Sequence, residues 1–578
     1  MLRQPTSFPR ALLLILALVW QVTPSFPGSN ASHCKCLPGD ECWPSKTEWA
    51  AFNATVGGRL VATAPLASPC HYDASAAYDA EECAALKNAW GFPETHYSTS
   101  SSPMAAWFAN NSCSPFMPPS APCVADAYVQ YAVRAAGVSD YQATLAFATK
   151  KKIRLVIRNT GHDYFGKSTG AGALALWTHF LKETPIIKAY SSDSFRGTAM
   201  RLGAGVQAFE AYAAADQAGL AVVGGACSTV GVAGGYSQGG GLGPLSSAFG
   251  LGADQVLEWE VVLASGQHVV ATPTRYKDLY WALSGGGGGP YAAVLSMTVR
   301  AHPAVKVASA NLTFTDAGVS GQSFTEAVKT FLSTLPRLAE AGTWSSFYVA
   351  GSAFRLVPVF GPNLDAATLQ ALLDPTLAAL NKSGISYEYH LETFDTFLSA
   401  YDSMVVLENV TEANLGGRLI PRTLLETKDS VASLMEAFQL ILDAGGVVSG
   451  IVSNQTNFPL NRVENSVNPA LRESVISVVF GLPYNHAEYA GNIPLQQEIT
   501  NTFMPRLEAL TPGGGSYLNE GDINQPNWQT AFYGVNYPAL RRIKEKYDAH
   551  GLFYGLTAVG SEKWEYRMRT DGRLCRVE

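Results

Sequence analysis

The distribution of cysteine constrains this chain most. Nine cysteines occur in 578 residues, at positions 34, 36, 42, 70, 83, 113, 123, 227 and 575. Seven of them lie before residue 124, in a stretch rich in Pro, Ser and Ala with poor hydrophobic periodicity. A cluster of that kind predicts short helices and loops held by disulfides and formed in an oxidising compartment. Cys34-x-Cys36 with Cys42 also admits a zinc reading, but no second ligand pair with zinc-like spacing follows, and no metal site is expected. An odd total leaves one cysteine over. Cys227 is the natural remainder, far from the cluster and set among glycines. Cys575 is then expected to bring the C-terminus back to the N-terminal region.

The N-terminus agrees with that compartment. Arg3 and Arg10 flank the apolar run Ala11 to Trp20, and Thr23, Pro24 and Ser25 follow. The run is too short to span a bilayer, so residues 1–27 read as a secretory signal peptide. Asn-x-Ser/Thr triplets occur at Asn30, Asn53, Asn110, Asn311, Asn381, Asn409 and Asn454, which suits a glycoprotein that is secreted or held in a secretory or vacuolar lumen. No later stretch approaches the ~20 apolar residues of a membrane helix. With 47% apolar residues, 15% charged residues and a net charge of −7, the chain reads as globular, with no reason to expect nucleic acid or an anionic membrane as partner.

A chain this long needs more than one folded unit. Residues 28–120 form the Cys-rich region. Across 121–303 the pattern is strand, helix, strand: Tyr128 to Arg134, a helix capped by Ser139 or Asp140 and running through Thr149, then Ile153 to Ile157. Further strands are expected at Leu174–Trp177, Ala199–Leu202, Val256–Leu263, His268–Ala271 and Val294–Val299, with an Ala-rich helix over 208–218. Residues 304–515 show longer elements, including a helix to Leu335 with Ser323 and Glu326 as its capping box. Strands are expected there at Trp344–Ala350, Phe354–Phe360, Ile385–Leu391, Val447–Ser453 and Val475–Phe480. The unit reads as α+β, a mostly antiparallel sheet covered by helices. Residues 516–578 are dense in aromatic and amide side chains, as at a ligand or a domain seam.

Chemistry concentrates between Arg158 and Gly252. Arg158-Asn159-Thr160-Gly161-His162-Asp163 follows a buried strand, and Gly239-Gly240-Gly241 follows Gln238. Glycine-rich backbone brings N–H groups close to a bound anion, so the two together suit a pyrophosphate. His162 reads equally as a turn histidine bonded to Asp163, and Cys227 as an inert buried thiol. Gly285 to Gly289 fits neither a Walker motif nor the dinucleotide fingerprint, which disfavours a nicotinamide-dependent dehydrogenase.

These segments, with Gly225-x-Cys227-x-Thr229-Val230-Gly231 and the C-terminal Asn536-Tyr537-x-x-Leu540-x-x-Ile543-Lys544-x-Lys546-Tyr547-Asp548, resemble FAD-linked oxidases of the berberine-bridge type. That group is a branch of the vanillyl-alcohol-oxidase (PCMH-type) flavoproteins. The Cys-rich N-terminus and Gly170-x-Gly172-x-Leu174-x-Leu176-Trp177-Thr178 are similar to its secreted fungal members, described as isoamyl-alcohol-oxidase-like or as tailoring enzymes of secondary metabolism. The resemblance implies a PCMH-type FAD-binding domain of two α/β subdomains beside the α+β substrate domain. It also implies an oxidase that passes hydride from an alcohol or hydroxylated small molecule to flavin N5, with O2 as acceptor.

On that resemblance His162 would join the 8α carbon of FAD and Cys227 its C6. Arg158, Asn159, Thr160, Gly161, Asp163, Ser168, Val230, Gly231, Gly239, Gly240 and Gly241 would complete the cofactor site, with Val230 at the position that separates oxidases from dehydrogenases. The chain departs from the family at Gly235, followed by Tyr236, where plant members carry a His eight residues after the Cys, and at Ala549, where a Pro is usual. It departs also at Glu520, in place of a tyrosine often given base or substrate-contact duty. Glu520 is the candidate base, and a carboxylate paired within the C-terminal segment is its competing role. A carbohydrate oxidase of the same family, and a secreted glycoprotein that retains FAD without turnover, are the alternatives.

Overall fold

Three β-sheets position the site, and each answers to a different sequence pattern. The computed structural model describes residues 33–73, 77–406, 409–411, 413–456 and 464–577. The expected signal peptide and the Asn30 sequon lie outside the described residues.

The first sheet has the order Leu60–Ala62, Tyr131–Arg134, Leu174–Trp177, Leu155–Arg158, with the last three strands parallel. Parallel strands covered on both faces need continuous apolar runs, and all four residues of Leu174–Trp177 are buried. The crossover helix Val138–Lys150 packs Tyr141, Leu145 and Ala148 against this sheet. Its N-cap is Gly137, not Ser139 or Asp140. The Asp140 carboxylate instead accepts from the Ala136 N–H and from the Arg59 guanidinium. The second sheet is antiparallel, in the order Ile186–Ser191, Arg196–Gly203, Ala293–Arg300, Val256–Val262, His268–Ala271.

The third sheet is also antiparallel, with seven strands in the order Tyr387–Phe394, Val307–Thr315, Ala353–Pro362, Trp344–Ala350, Val447–Val452, Ser474–Pro483, Ala413–Pro421. Alternation along each strand divides its side chains between two faces. Phe347 and Val349 join a core with Phe331, Leu373 and Phe438 of the helices Gly321–Glu340, Ala366–Lys382 and Lys428–Asp443. Trp344, Ser346 and Tyr348 face the other way, into a cavity.

Two expectations shift here. The first helix is capped by Ser320, whose hydroxyl accepts from the Ser323 N–H at 3.1 Å, and it runs on to Glu340. Gly321 and Gln322 are tolerated because the first turn needs a cap rather than intrahelical partners. The strand Ala413–Pro421 was not among the strands expected. A Cβ on Gly417 would lie 2.3 Å from the Glu520 carbonyl oxygen, so glycine is what lets the C-terminal segment cross this edge strand.

Four disulfides join Cys34 to Cys575, Cys36 to Cys42, Cys70 to Cys83 and Cys113 to Cys123, leaving Cys227 outside any bridge. The zinc reading thus gives way to disulfides. Asp40, beside that cluster, holds the Arg573 guanidinium at 2.6 and 2.7 Å, a second tie between the two ends of the chain. Among the sequons, Asn381 is exposed, whereas Asn311 donates from within a strand to the Met404 carbonyl. Among the described residues no helix is long and apolar enough to cross a membrane.

Candidate functional site

A cavity of about 1080 Å³ opens between the first two sheets and continues beneath the third. That is at the upper end of small-molecule sites, which span roughly 300–1,000 Å³. One wall is the turn after Leu155–Arg158. Gly161 has φ +93°, and a Cβ there would lie 2.9 Å from the Arg158 guanidinium, so this turn requires glycine. The Asp163 carboxylate closes the turn by accepting from the N–H groups of Phe165, Lys167 and Ser168. Asn159, Thr160, Gly161, His162, Asp163 and Ser168 all line the cavity.

Arg158 does not. Its fully buried guanidinium donates to the carbonyls of Thr99, His96 and Ser102 at 2.8 to 3.0 Å. Burial lowers its pKa to about 9, with Asp163 opposing that shift. Arg158 therefore clamps the Cys-rich region to the back of the turn and does not itself face the cavity. The pattern Arg-Asn-Thr-Gly-His could not reveal that distant backbone carbonyls would claim the guanidinium.

The facing wall comes from residues 225–238. Cys227, Val230 and Gly231 line it, with Gly234 and Gly235 of the π-turn Val232–Tyr236. Asn159 packs under this turn, and a Cβ on Gly231 would fall 2.4 Å from its Nδ2. Asn159 Nδ2 donates to the Ala204 carbonyl, while its Oδ1 is buried with no partner among the described residues. Gly239, Gly240 and Gly241 are not part of the lining. They form the seam with the C-terminal segment, where the Gly241 N–H donates to the Tyr517 hydroxyl at 3.2 Å and Gly239 abuts Asn519.

The run Gly285–Gly289 brings a second glycine turn to the cavity, which Gly239–Gly241 do not line. Gly288 and Gly289 line the cavity, and a Cβ on Gly288 would lie 2.9 Å from the Gly235 Cα. Gln238 fixes the run: its carbonyl accepts from Gly285 and Gly287, and its Oε1 from the Gly289 N–H. A side chain that shapes a glycine run leaves no spacing signature of its own.

His162 and Cys227 meet on this cavity, 65 positions apart in sequence. Cys227 Sγ lies 3.9 Å from His162 Nε2, and the same nitrogen is 2.6 Å from the Thr229 hydroxyl. Burial, with a smaller contribution from His96, lowers the His162 pKa to about 3. The imidazole is therefore neutral at physiological pH, as a nucleophile must be.

The C-terminal segment closes the floor. Lys544, buried on the helix Tyr537–Tyr547, donates to the carbonyls of Pro290 and Phe553 at 2.8 and 2.7 Å and pairs with Asp548 at 2.5 Å. Asp548 in turn accepts from the N–H groups of Leu552 and Phe553. One ammonium thus ties Phe553, Tyr554 and Gly555 to the glycine turn, and all three line the cavity. Ala549 lies just past the end of that helix. Lys167 lines the cavity beside Gly555, its amine held below the usual lysine range by burial.

The far end is built from strands. Ser346 and Tyr348, Val447, Ser449 and Ile451, and Val479 and Leu482 line it from the third sheet. Tyr401 joins them from the helix Phe397–Met404, its hydroxyl donating to the Ala226 carbonyl beside Cys227. Glu520 lines the same end. Its neighbour Tyr517 is pushed up by burial and by the Glu520 charge.

Residues 129–272 match the family model described as an FAD binding domain, and residues 516–559 match the one described as berberine and berberine like. The chain is 49% identical over 552 residues to the FAD-linked oxidoreductase sor8 of Hypocrea jecorina (strain QM6a), which covers 95% of this chain and 94% of that one. Its structure is similar to that of the VAO-type flavoprotein MtVAO615 from Myceliophthora thermophila C1, with a TM-score of 0.89 and 40% identity over 94% of this chain and 100% of that one. It shares the fold, at 19% identity and a TM-score of 0.59, with the glucooligosaccharide oxidase of Acremonium strictum, described with a 6-S-cysteinyl, 8α-N1-histidyl FAD. That likeness covers 75% of this chain and 91% of that one.

The residues present fit FAD. Two facing glycine turns leave backbone open for close approach, and the buried Asn159 Oδ1 awaits a donor. The α+β architecture, the matched models and the relatives agree: the chain belongs to the berberine-bridge-like branch of the VAO-type flavoproteins and is an FAD-linked oxidoreductase.

Proposed function

We propose that the protein is an FAD-dependent oxidase of a small, largely apolar hydroxylated molecule, with FAD tethered at both His162 and Cys227. The observation that carries this reading is the meeting of a neutral imidazole and an unbridged cysteine, 3.9 Å apart, on one cavity wall. Imidazole nitrogen and thiolate sulfur are side-chain nucleophiles suited to covalent attachment. When bound, FAD supplies the hydride acceptor. The chain supplies the rest. Val447, Ile451, Val479 and Leu482 exclude water, and the hydroxyls of Ser346, Ser449 and Tyr348 orient the substrate. The Glu520 carboxylate accepts the proton of the substrate hydroxyl as hydride leaves its carbon. Asn159, Thr160, Gly161, Asp163, Ser168, Gly231, Gly288 and Gly289 hold the cofactor, and Val230 beside Cys227 suits admission of O2, which leaves as H2O2.

The lining favours this substrate over the carbohydrate alternative. A sugar chain presents hydroxyls on every ring and calls for many polar partners, whereas the sheet offers mainly apolar side chains around the hydroxyls of Ser346, Tyr348 and Ser449. The four disulfides and the sequons support maturation in the secretory pathway, and the resemblance to secreted fungal tailoring enzymes supports a place in secondary metabolism.

Hydrogen peroxide release is the test, measured against apolar aryl and allylic alcohols in parallel with gluco- and chito-oligosaccharides. Turnover of the first group, lowered by about 100-fold or more in Glu520→Gln, is the expected result. Turnover confined to oligosaccharides would select the carbohydrate reading. Absence of peroxide from any donor, with flavin present, would select a non-catalytic glycoprotein.

A further inference from the structure

Thr229 stands where the two anchors meet. Its hydroxyl oxygen lies 2.6 Å from His162 Nε2 and 3.7 Å from Cys227 Sγ, and the residue is 2% exposed. Its carbonyl accepts from the Gln207 amide at 2.9 Å, and the Val230 N–H donates to the Cys227 carbonyl, so the backbone that carries the hydroxyl is fixed on both sides. A hydroxyl has one proton to give and lone pairs to receive another. Between an imidazole and a sulfur it can accept from one and donate to the other.

A neutral imidazole carries its proton on either ring nitrogen, and only the other nitrogen has a lone pair with which to attack. The protonation site therefore decides which atom can bond to the flavin. We propose that Thr229 is a positioning residue for flavin attachment. Its oxygen accepts from Nε2–H of His162, which leaves the lone pair on Nδ1, and its own proton points to Cys227 Sγ. The proposal rests on the reading of His162 as an anchor.

The bond changes balance. Attachment breaks one C–H bond of the flavin 8α methyl group and the imidazole N–H bond, and it forms the C–N bond. Two protons and two electrons pass to dioxygen, giving hydrogen peroxide. In the proposed tautomer Nδ1 forms the C–N bond, and the Nε2 proton held against Thr229 is the one the imidazole gives up, ending with the 8α proton on the hydrogen peroxide.

Holoproteins of the wild type, Thr229→Val and Thr229→Ser are purified, denatured and digested, and FAD-bearing peptides containing His162 and Cys227 are quantified by mass spectrometry. Valine keeps the shape without the hydroxyl, and serine restores the hydroxyl without the methyl. In Thr229→Val the His162-linked fraction should fall by about tenfold or more while the Cys227 link persists, and Thr229→Ser should return the His162 link to near the wild-type fraction. A wild-type level of His162 linkage in Thr229→Val overturns the proposal. So does a parallel loss of both links that serine does not restore, since that is a structural role. Should Thr229→Val fail to accumulate as folded protein, Thr229→Ala takes its place under the same criteria. A wild type whose His162 peptide carries no FAD overturns the anchor reading itself, and the role of Thr229 with it.

Discussion

The two ends of the cavity are built differently, and the difference explains why one speaks through its sequence and the other does not. The cofactor end is made of turns. Gly161 needs positive φ, Gly231 and Gly288 leave room for neighbours that a Cβ would strike, and Asp163 accepts from three consecutive-turn N–H groups. Each requirement admits few residue types, so the segments stand out as motifs. The substrate end is made of strands whose alternate side chains face the cavity: Ser346 and Tyr348, then Val447, Ser449 and Ile451. Any side chain of suitable size keeps such a strand intact. Backbone demands write themselves into sequence, and side-chain demands at the middle of a strand do not.

That contrast predicts steep effects at the cofactor end and shallow ones at the sheet. The largest belongs to Lys544→Met. It removes the ammonium that serves Pro290, Phe553 and Asp548 and leaves the Asp548 carboxylate buried, which should cost about 3–5 kcal/mol. Denaturant unfolding measures it, and a loss within error of zero would break the assignment of Lys544 as the floor's tie.

Acid comes next. His96 is fully buried, its Nε2 bonded to the Trp90 carbonyl and its Nδ1 to Ser102, and burial lowers its pKa from 6.5 to about 4. The unfolded chain takes up this proton below pH 6.5 and the folded one does not, so its contribution is fully present above pH 6.5 and is lost as pH falls toward about 4. The span corresponds to about 3 kcal/mol. Melting temperature followed across that window should decline more steeply in the wild type than in His96→Gln, and equal slopes would contradict the burial of a neutral ring.

Gly288→Ala should be milder for the fold, about 1–3 kcal/mol from overpacking against Gly235, yet it should strip most of the flavin from the purified protein. The 450 nm absorbance per protein reads that occupancy directly. Ser449→Val, at the sheet end, should leave the flavin spectrum unchanged and shift kcat/KM by about tenfold at most. A Ser449→Val protein without flavin, or a Gly288→Ala protein with full occupancy, would reverse the comparison of the two ends.

Legibility of the fold and of the site follows the same division between backbone and side-chain demands. That eight cysteines pair and Cys227 remains followed from counting, whereas most of the partners within the N-terminal cluster did not. The parallel strands Leu155–Arg158 and Leu174–Trp177 followed from their apolar runs. Ala413–Pro421 escaped because Gly417 serves a close crossing by Glu520 and Gly416 makes room for Ile499 and Phe480, contacts between distant segments that no local pattern encodes. Arg158 and Gly239–Gly241 sit within recognisable motifs, but their partners are the 96–102 backbone and Tyr517 with Asn519, which spacing alone could not supply. Gln238, Thr229, Lys544 and Tyr401 act on the cavity through hydrogen bonds to residues distant in sequence, which no local pattern encodes.

The direct test of the central claim is a flavin spectrum and intact mass of the mature protein after acid precipitation, for the wild type, Cys227→Ala and His162→Ala with Cys227→Ala. The wild type should keep the yellow flavin band and the mass of one FAD, Cys227→Ala should still keep them through His162, and the double variant should release its FAD on denaturation. A wild type that releases FAD into the acid supernatant would contradict the central claim.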